Sequence, residues 1–157
     1  MLEPSSIAII GASATEGKVG HDILKNLLDQ GFEGKIYPIN PKHDEILETK
    51  AYESVKDVSG EIDLAVVVIP GKFVPDVLKE CGEKKISTVV VISAGFSEVH
   101  TDEGAKLEEE LIKVAKEYKI NVIGPNCLGV LRPSVKMNAS FAKELPPEGG
   151  VALISQS

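Results

Sequence analysis

Disulfide chemistry has little to work with in this chain: Cys81 and Cys127 are its only cysteines in 157 residues. Two thiols make no framework, and a reducing compartment is the simple reading. Long apolar runs are missing too; no stretch approaches the ~20 residues that span a bilayer. The opening Met1-Leu2-Glu3-Pro4 places an acid and a proline where a secretory leader needs positive charge and a long apolar segment. No signal peptide is therefore expected, and the cytoplasm is the default. Positive charge is in deficit, with 17 Lys and Arg against 24 Asp and Glu and a formal net charge of −7. Nucleic acid and anionic membranes both want a basic face, so neither is expected as a partner. A small anionic ligand remains open, because the field at a helix start can oppose the global one. Repeats and low-complexity tracts are absent.

What is present fits an ordinary globule. Hydrophobic residues make up 43% and charged residues 26%. The length implies one domain, of a size that hides about 70% of the surface its unfolded chain exposes. Strand candidates lie at residues 7–10, 35–39, 64–69, 88–92, 121–123 and 151–154. The third reads Leu-Ala-Val-Val-Val-Ile, and the fourth is almost as apolar. Strands of that kind are covered on both faces, as in a parallel sheet between helix layers. Helical spacing appears between them. Ile23, Leu24, Leu27 and Leu28 mark a helix over 21–30 that Gly31 would stop. Val74, Val77, Leu78 and Cys81 mark a second, with Pro75 tolerated in its first turn, and Leu107, Leu111, Val114, Ala115 and Tyr118 a third. A short helix is predicted over 52–58. The alternation predicts an α/β fold: a Rossmann-like, doubly wound, mainly parallel sheet with helices on both faces. The stretch 132–150, with Pro133, Pro146, Pro147, Gly149 and Gly150, reads as a long connection before a last strand. The closing Ser155-Gln156-Ser157 gives the impression of a domain cut from something longer.

The first strand runs into Gly11-Ala12-Ser13-Ala14-Thr15-Glu16-Gly17-Lys18-Val19-Gly20 and then opens a helix. Glycine lets a backbone approach a ligand, and the free N–H groups of a helix start attract phosphate. A dinucleotide fingerprint is matched only in part, since Gly17 is the next glycine after Gly11. An ATPase P-loop is disfavoured: five residues separate Gly11 from Gly17-Lys18, and Val19 stands where Ser or Thr would hold magnesium. A bulky residue at Gly11 is expected to block the cradle without unfolding the sheet. Ser13 either donates to a phosphate or satisfies a turn; Lys18 either meets a phosphate or is a surface cation. After the second strand comes Asn40-Pro41-Lys42, where an NAD site would place an acid. An amide and a lysine suit a ribose with an extra phosphate, the 3′-phosphate of CoA or the 2′-phosphate of NADP; the alternative is a solvated loop. Ile69-Pro70-Gly71-Lys72-Phe73, Ser93-Ala94-Gly95-Phe96 and Gly124-Pro125-Asn126-Cys127-Leu128-Gly129 follow later strands, where the strand ends should line one crevice. Asn126 can both donate and accept. Cys127 is either a small apolar residue or a nucleophile, and no paired base supports the second.

Together these segments resemble the N-terminal CoA-binding domain of NDP-forming acyl-CoA synthetases, such as ADP-forming acetate–CoA ligase. The α subunit of succinyl-CoA synthetase is a more distant relative. The Gly-Pro-Asn-Cys-x-Gly run is the strongest single match, and the terminal Ile154-Ser155-Gln156-Ser157 belongs to the set. The resemblance implies that Gly11, Ala12, Ser13, Gly17, Lys18, Val19 and Gly20 hold CoA phosphates, and that Asn40, Pro41 and Lys42 meet the phosphorylated nucleotide end. It places Pro70 and Phe73 beside the ligand, Ser93, Ala94 and Gly95 along the pantetheine arm, and Asn126 and Cys127 near the thiol end. Ala94 departs from the succinyl relatives, which carry an acid there. No catalytic or metal-binding residue is assigned. The family's phosphohistidine lies in a later domain, and none of His21, His43 or His100 matches it. The domain is thus expected to bind coenzyme A as part of an acid–thiol ligase, to be inactive alone, and to work with the remaining synthetase domains or a partner subunit. Two other readings stay open: a stand-alone or regulatory CoA-binding module, as precedes some protein acetyltransferases, and an NADP-binding module of a redox protein.

Overall fold

The computed structural model describes residues 3–155. Met1, Leu2, Gln156 and Ser157, which the leader and terminal-motif readings used, lie outside them. In chain order the elements are β1 (Ser6–Ile10), α1 (Val19–Asp29), β2 (Lys35–Ile39), β3 (Glu45–Ile46), β4 (Thr49–Lys50), β5 (Leu64–Val67), α2 (Val74–Glu83), β6 (Thr88–Val91), α3 (Asp102–Tyr118), β7 (Asn121–Ile123), β8 (Gly129–Arg132) and β9 (Met137–Ser140). Five strands form one parallel sheet in the order β2-β1-β5-β6-β7. The architecture is the doubly wound α/β fold that the alternation predicts.

The continuously apolar strands are explained by two covered faces. Ala8, Ile10, Ala65, Val67, Val89 and Val91 pack toward α2 and α3. Ile7, Ile9, Leu64, Val66 and Val90 pack toward α1 and the β8–β9 hairpin. Each fully buried Val, Leu or Ile among them contributes about 1.5–3 kcal/mol, so the central strands carry much of the stability. Strand register keeps the carboxyl ends level: Ile10 lies opposite Ile39 and Val67, and Val67 opposite Val91. The chain moves outward from β1 to β2 and returns on the other side of β1 as β5. That reversal opens a crevice at the strand ends, where ligands of such sheets are handled.

Several local expectations change. Residues 151–154 form no strand; Val151, Leu153 and Ile154 are 95%, 90% and 94% exposed. Their apolar sequence pairs with no strand of the sheet, and an extended segment without a partner gains no ladder hydrogen bonds. The stretch 132–150 instead contains β9, whose four residues are all buried. Polar Asn138 and Ser140 disguised it. Their side chains are satisfied internally: Ser140 Oγ donates to Asn138 Oδ1 (2.6 Å), and Asn138 Nδ2 donates to the Ala142 carbonyl (3.0 Å). Asn26 Nδ2 on α1 donates to the carbonyls of Ser140 and Ala142, each at 2.9 Å, and so ties the hairpin to the helix. The helix predicted over 52–58 shortens to a 3-10 turn, Val55–Asp57, and the β3–β4 hairpin precedes it. Among the described residues no helix is long and apolar enough to cross a membrane.

Candidate functional site: a glycine cradle at the strand ends

The cradle is built by three glycines with different tasks. Gly11 adopts φ +97°, and a Cβ there would lie 2.8 Å from the Val68 carbonyl oxygen and 2.9 Å from Ile69 Cγ2. Its missing side chain therefore makes room for the neighbouring strand end, so a bulky residue would disturb the sheet as well as the cradle. Gly20 lets α1 settle on the loop; a Cβ would sit 2.0 Å from the Gly11 carbonyl oxygen. Gly17 adopts φ +79° with no atom within 4 Å of its Cβ position, which is open space above the loop.

Lys18 is the N-cap residue of α1, and no side chain caps the helix. By contrast, Thr101 Oγ1 caps α3 by accepting from the Gly104 amide at 3.1 Å. The first amides of α1 are thus left for an anion, with the helix dipole behind them. Val19 is exposed beside them, and Ala12 is buried at the loop's base. Ser13 Oγ accepts from the Thr15 amide at 3.0 Å, so its hydroxyl shapes the turn. His21 is buried in the first turn of the helix and its Nδ1 has no hydrogen-bond partner.

The second loop is braced to the first. Asn40 Nδ2 donates to the Ala12 carbonyl at 2.7 Å, Asn40 Oδ1 accepts from the Lys42 amide at 2.9 Å, and the Gly11 amide donates to the Ile39 carbonyl at 3.0 Å. Asn40 is consequently occupied as a strut, while Pro41 and Lys42 project from the turn it holds. Among the described residues neither Lys18 nor Lys42 has a carboxylate partner.

The loops after β5, β6 and β7 close the other side. Pro70 and Phe73 are exposed, Phe73 by 49%, on the 3-10 turn Gly71–Phe73 that leads into α2. A Cβ on Gly71 would lie 2.6 Å from the Ala94 carbonyl oxygen, so these two loops abut. The Asn126 amide donates to the Ser93 carbonyl at 3.0 Å, joining the third loop to the second. Ala94 is exposed, and Gly95, at φ +103°, has no atom within 4 Å of its Cβ position. Ser93 itself is buried, with its hydroxyl 3.4 Å from the Val67 carbonyl, and so offers the crevice backbone only. Cys127 is half-buried; burial pushes its thiol above the ordinary range, and Sγ donates to the Val91 carbonyl at 3.4 Å. A neutral thiol spent on a backbone carbonyl supports the structural reading of Cys127. Cys81, pushed up to about 12 by burial, is inert too.

The sequence reading missed Glu98. Its carboxylate accepts from the Gly95 amide at 2.6 Å and the Phe96 amide at 3.0 Å. An acid three residues beyond a glycine at a strand end was the available signal. A hollow of about 530 Å³ lies at the sheet's flank, between α3 and the edge strand β7, with Leu111, Ile112 and Lys116 in its wall. Gly124 and Pro125 of the loop after β7 also line it, and no residue of the loop 11–20 does.

The fold agrees with known proteins. A family model described as "CoA binding domain" matches residues 5–133. The chain belongs to the CoA-binding domain family. Across 154 residues, 98% of its length, this CoA-binding domain is 58% identical to an ADP-forming acetate–CoA ligase of Methanocaldococcus jannaschii, of which it spans 21%. It is 47% identical to the α subunit of ADP-forming acetate–CoA ligase I of Pyrococcus furiosus, with 100% of the chain and 35% of that subunit covered. Among solved structures it is similar to the dinucleotide-forming acetyl-coenzyme A synthetase 1 of Ca. Korarchaeum cryptofilum, solved with phosphate and ADP. That match has a TM-score of 0.86 and 43% identity, over 91% of this chain and 30% of the other. The domain spans about a fifth to a third of the length of the curated relatives it matches.

Proposed function

We propose that this domain is the CoA-holding part of an ADP-forming acyl-CoA ligase and works with further synthetase domains or a partner subunit. The observation that carries the reading is coverage: named ligases match the chain from end to end, while it accounts for a minority of their length. The cradle fits the cofactor. The uncapped start of α1 and the open space over Gly17 suit a pyrophosphate, and Lys18 adds a free cation beside it. Lys42, held out by Asn40, suits a ribose phosphate. Pro70 and Phe73 offer an apolar flank, and the backbone of Ser93, Ala94 and Gly95 offers a path for the pantetheine arm toward Asn126. CoA supplies a thiol nucleophile when bound. The residues of this chain orient that thiol for an acyl group activated elsewhere, which is catalysis by proximity.

Titration calorimetry of the chain with CoA, dephospho-CoA, NADPH and NADH tests the reading. CoA is expected to bind, and more tightly than dephospho-CoA. Tight NADPH binding without CoA binding would overturn it. Mixed with acetate, ATP and CoA, the chain alone is expected to form no acetyl-CoA; turnover would remove the proposed division of labour.

A further inference from the structure

We infer that Glu98 is a positioning residue for the pantetheine-lining turn, an inference that rests on the CoA reading above. The turn between β6 and α3 exposes three successive backbone donors. The amides of Gly95 and Phe96 are both taken by the Glu98 carboxylate, at 2.6 and 3.0 Å, and the amide of Ser97 by Glu108 Oε2 on α3, at 3.0 Å. Successive amides in such a turn form a concavity that attracts anions. Here two of the protein's own carboxylates fill it. The turn is fixed on its other sides as well: Phe96 is fully buried beneath it, the Ser93 carbonyl accepts from the Asn126 amide, and the Ala94 carbonyl lies against Gly71.

Two consequences follow. Gly95 is held at φ +103° with its open face toward free space, so the arm meets a preformed surface and no loop must be ordered on binding. The anion site is also closed. The negative charge of Glu98 makes this end of the crevice unfavourable for phosphates, while the start of α1, Lys18 and Lys42 favour them at the other. Glu98 therefore contributes to the direction in which CoA lies as well as to its affinity.

The experiment compares two ligands on the whole chain by calorimetry: CoA, and adenosine 3′,5′-bisphosphate, which lacks the arm. Glu98→Ala is expected to weaken CoA by about tenfold, in line with the loss of charge-assisted hydrogen bonds. Affinity for adenosine 3′,5′-bisphosphate should stay within about twofold by the same argument. Glu98→Gln keeps one carbonyl acceptor and should restore part of the CoA affinity; it also carries the comparison if the alanine variant fails to fold. A carboxylate that merely stabilises the domain would weaken both ligands in step, and that result overturns the inference, as does unchanged CoA affinity in both variants. If the unsubstituted chain binds no CoA, the functional reading falls first and takes this inference with it.

Discussion

Lys42 stands on a turn that Asn40 braces from beneath, and Lys18 stands at the mouth of α1; both are exposed and without a carboxylate partner among the described residues. A lysine in that state loses little by turning to a ligand. The two should nevertheless behave differently. Lys42→Ala is expected to weaken CoA by about 1–3 kcal/mol and dephospho-CoA hardly at all, since only CoA carries the ribose phosphate. Lys18→Ala is expected to weaken both ligands alike, because each retains the pyrophosphate. Calorimetry on the two variants reads this directly, and a Lys42 variant that still prefers CoA over dephospho-CoA would place the ribose phosphate elsewhere. The polar residues around them have other work. Asn40, Ser93 and Cys127 are bonded to backbone groups and shape the crevice, whereas the Ser13 hydroxyl accepts from the Thr15 amide and keeps its own proton to donate.

The loop into α1 separates a packing glycine from one whose Cβ position is open. Gly20 is where the helix meets the loop, and a methyl group there would collide with the Gly11 carbonyl at 2.0 Å. Gly17 sits at φ +79° with nothing within 4 Å of its Cβ position. Gly20→Ala should therefore lower stability by about 1–3 kcal/mol, the usual cost of overpacking. Gly17→Ala should cost about 1–2 kcal/mol through its left-handed backbone, and its methyl group would take up the open space at that position. Melting followed by far-UV circular dichroism, with a CoA titration of each variant, separates the two effects. The Gly17 variant is expected to stay folded and lose CoA affinity; undiminished binding would show that the pyrophosphate does not lie over this loop.

At the scale of the molecule, stability divides unevenly along the chain. The five-stranded sheet is covered on one face by α2 and α3, and on the other by α1 with the β8–β9 hairpin, which Asn26 secures. Beyond the hairpin the burial stops: Val151, Leu153 and Ile154 touch almost nothing. Replacement of Val151, Leu153 and Ile154 together by serine should leave the melting temperature and CoA affinity unchanged, because tolerance to change follows the burial of the segment altered. A clear drop in either would mean that the segment packs on this domain in solution.

The parallel sheet was legible in the sequence because its central strands are apolar on both faces, a pattern that few other arrangements satisfy. The cradle was legible because a glycine loop between a strand and a helix is a local signal, and local chemistry survives without knowledge of the fold. Only tertiary structure decided the rest. Residues 151–154 have the composition of a strand and join none, whereas Met137–Ser140 is half polar and becomes a buried strand because its neighbours satisfy Asn138 and Ser140. Whether Gly11 faces a ligand or a neighbouring strand, and whether Glu98 meets solvent or two amides, depends on groups distant in space or on the path of a turn. Side-chain type determined what each residue could bond to; the packing of the sheet determined which partner was within reach.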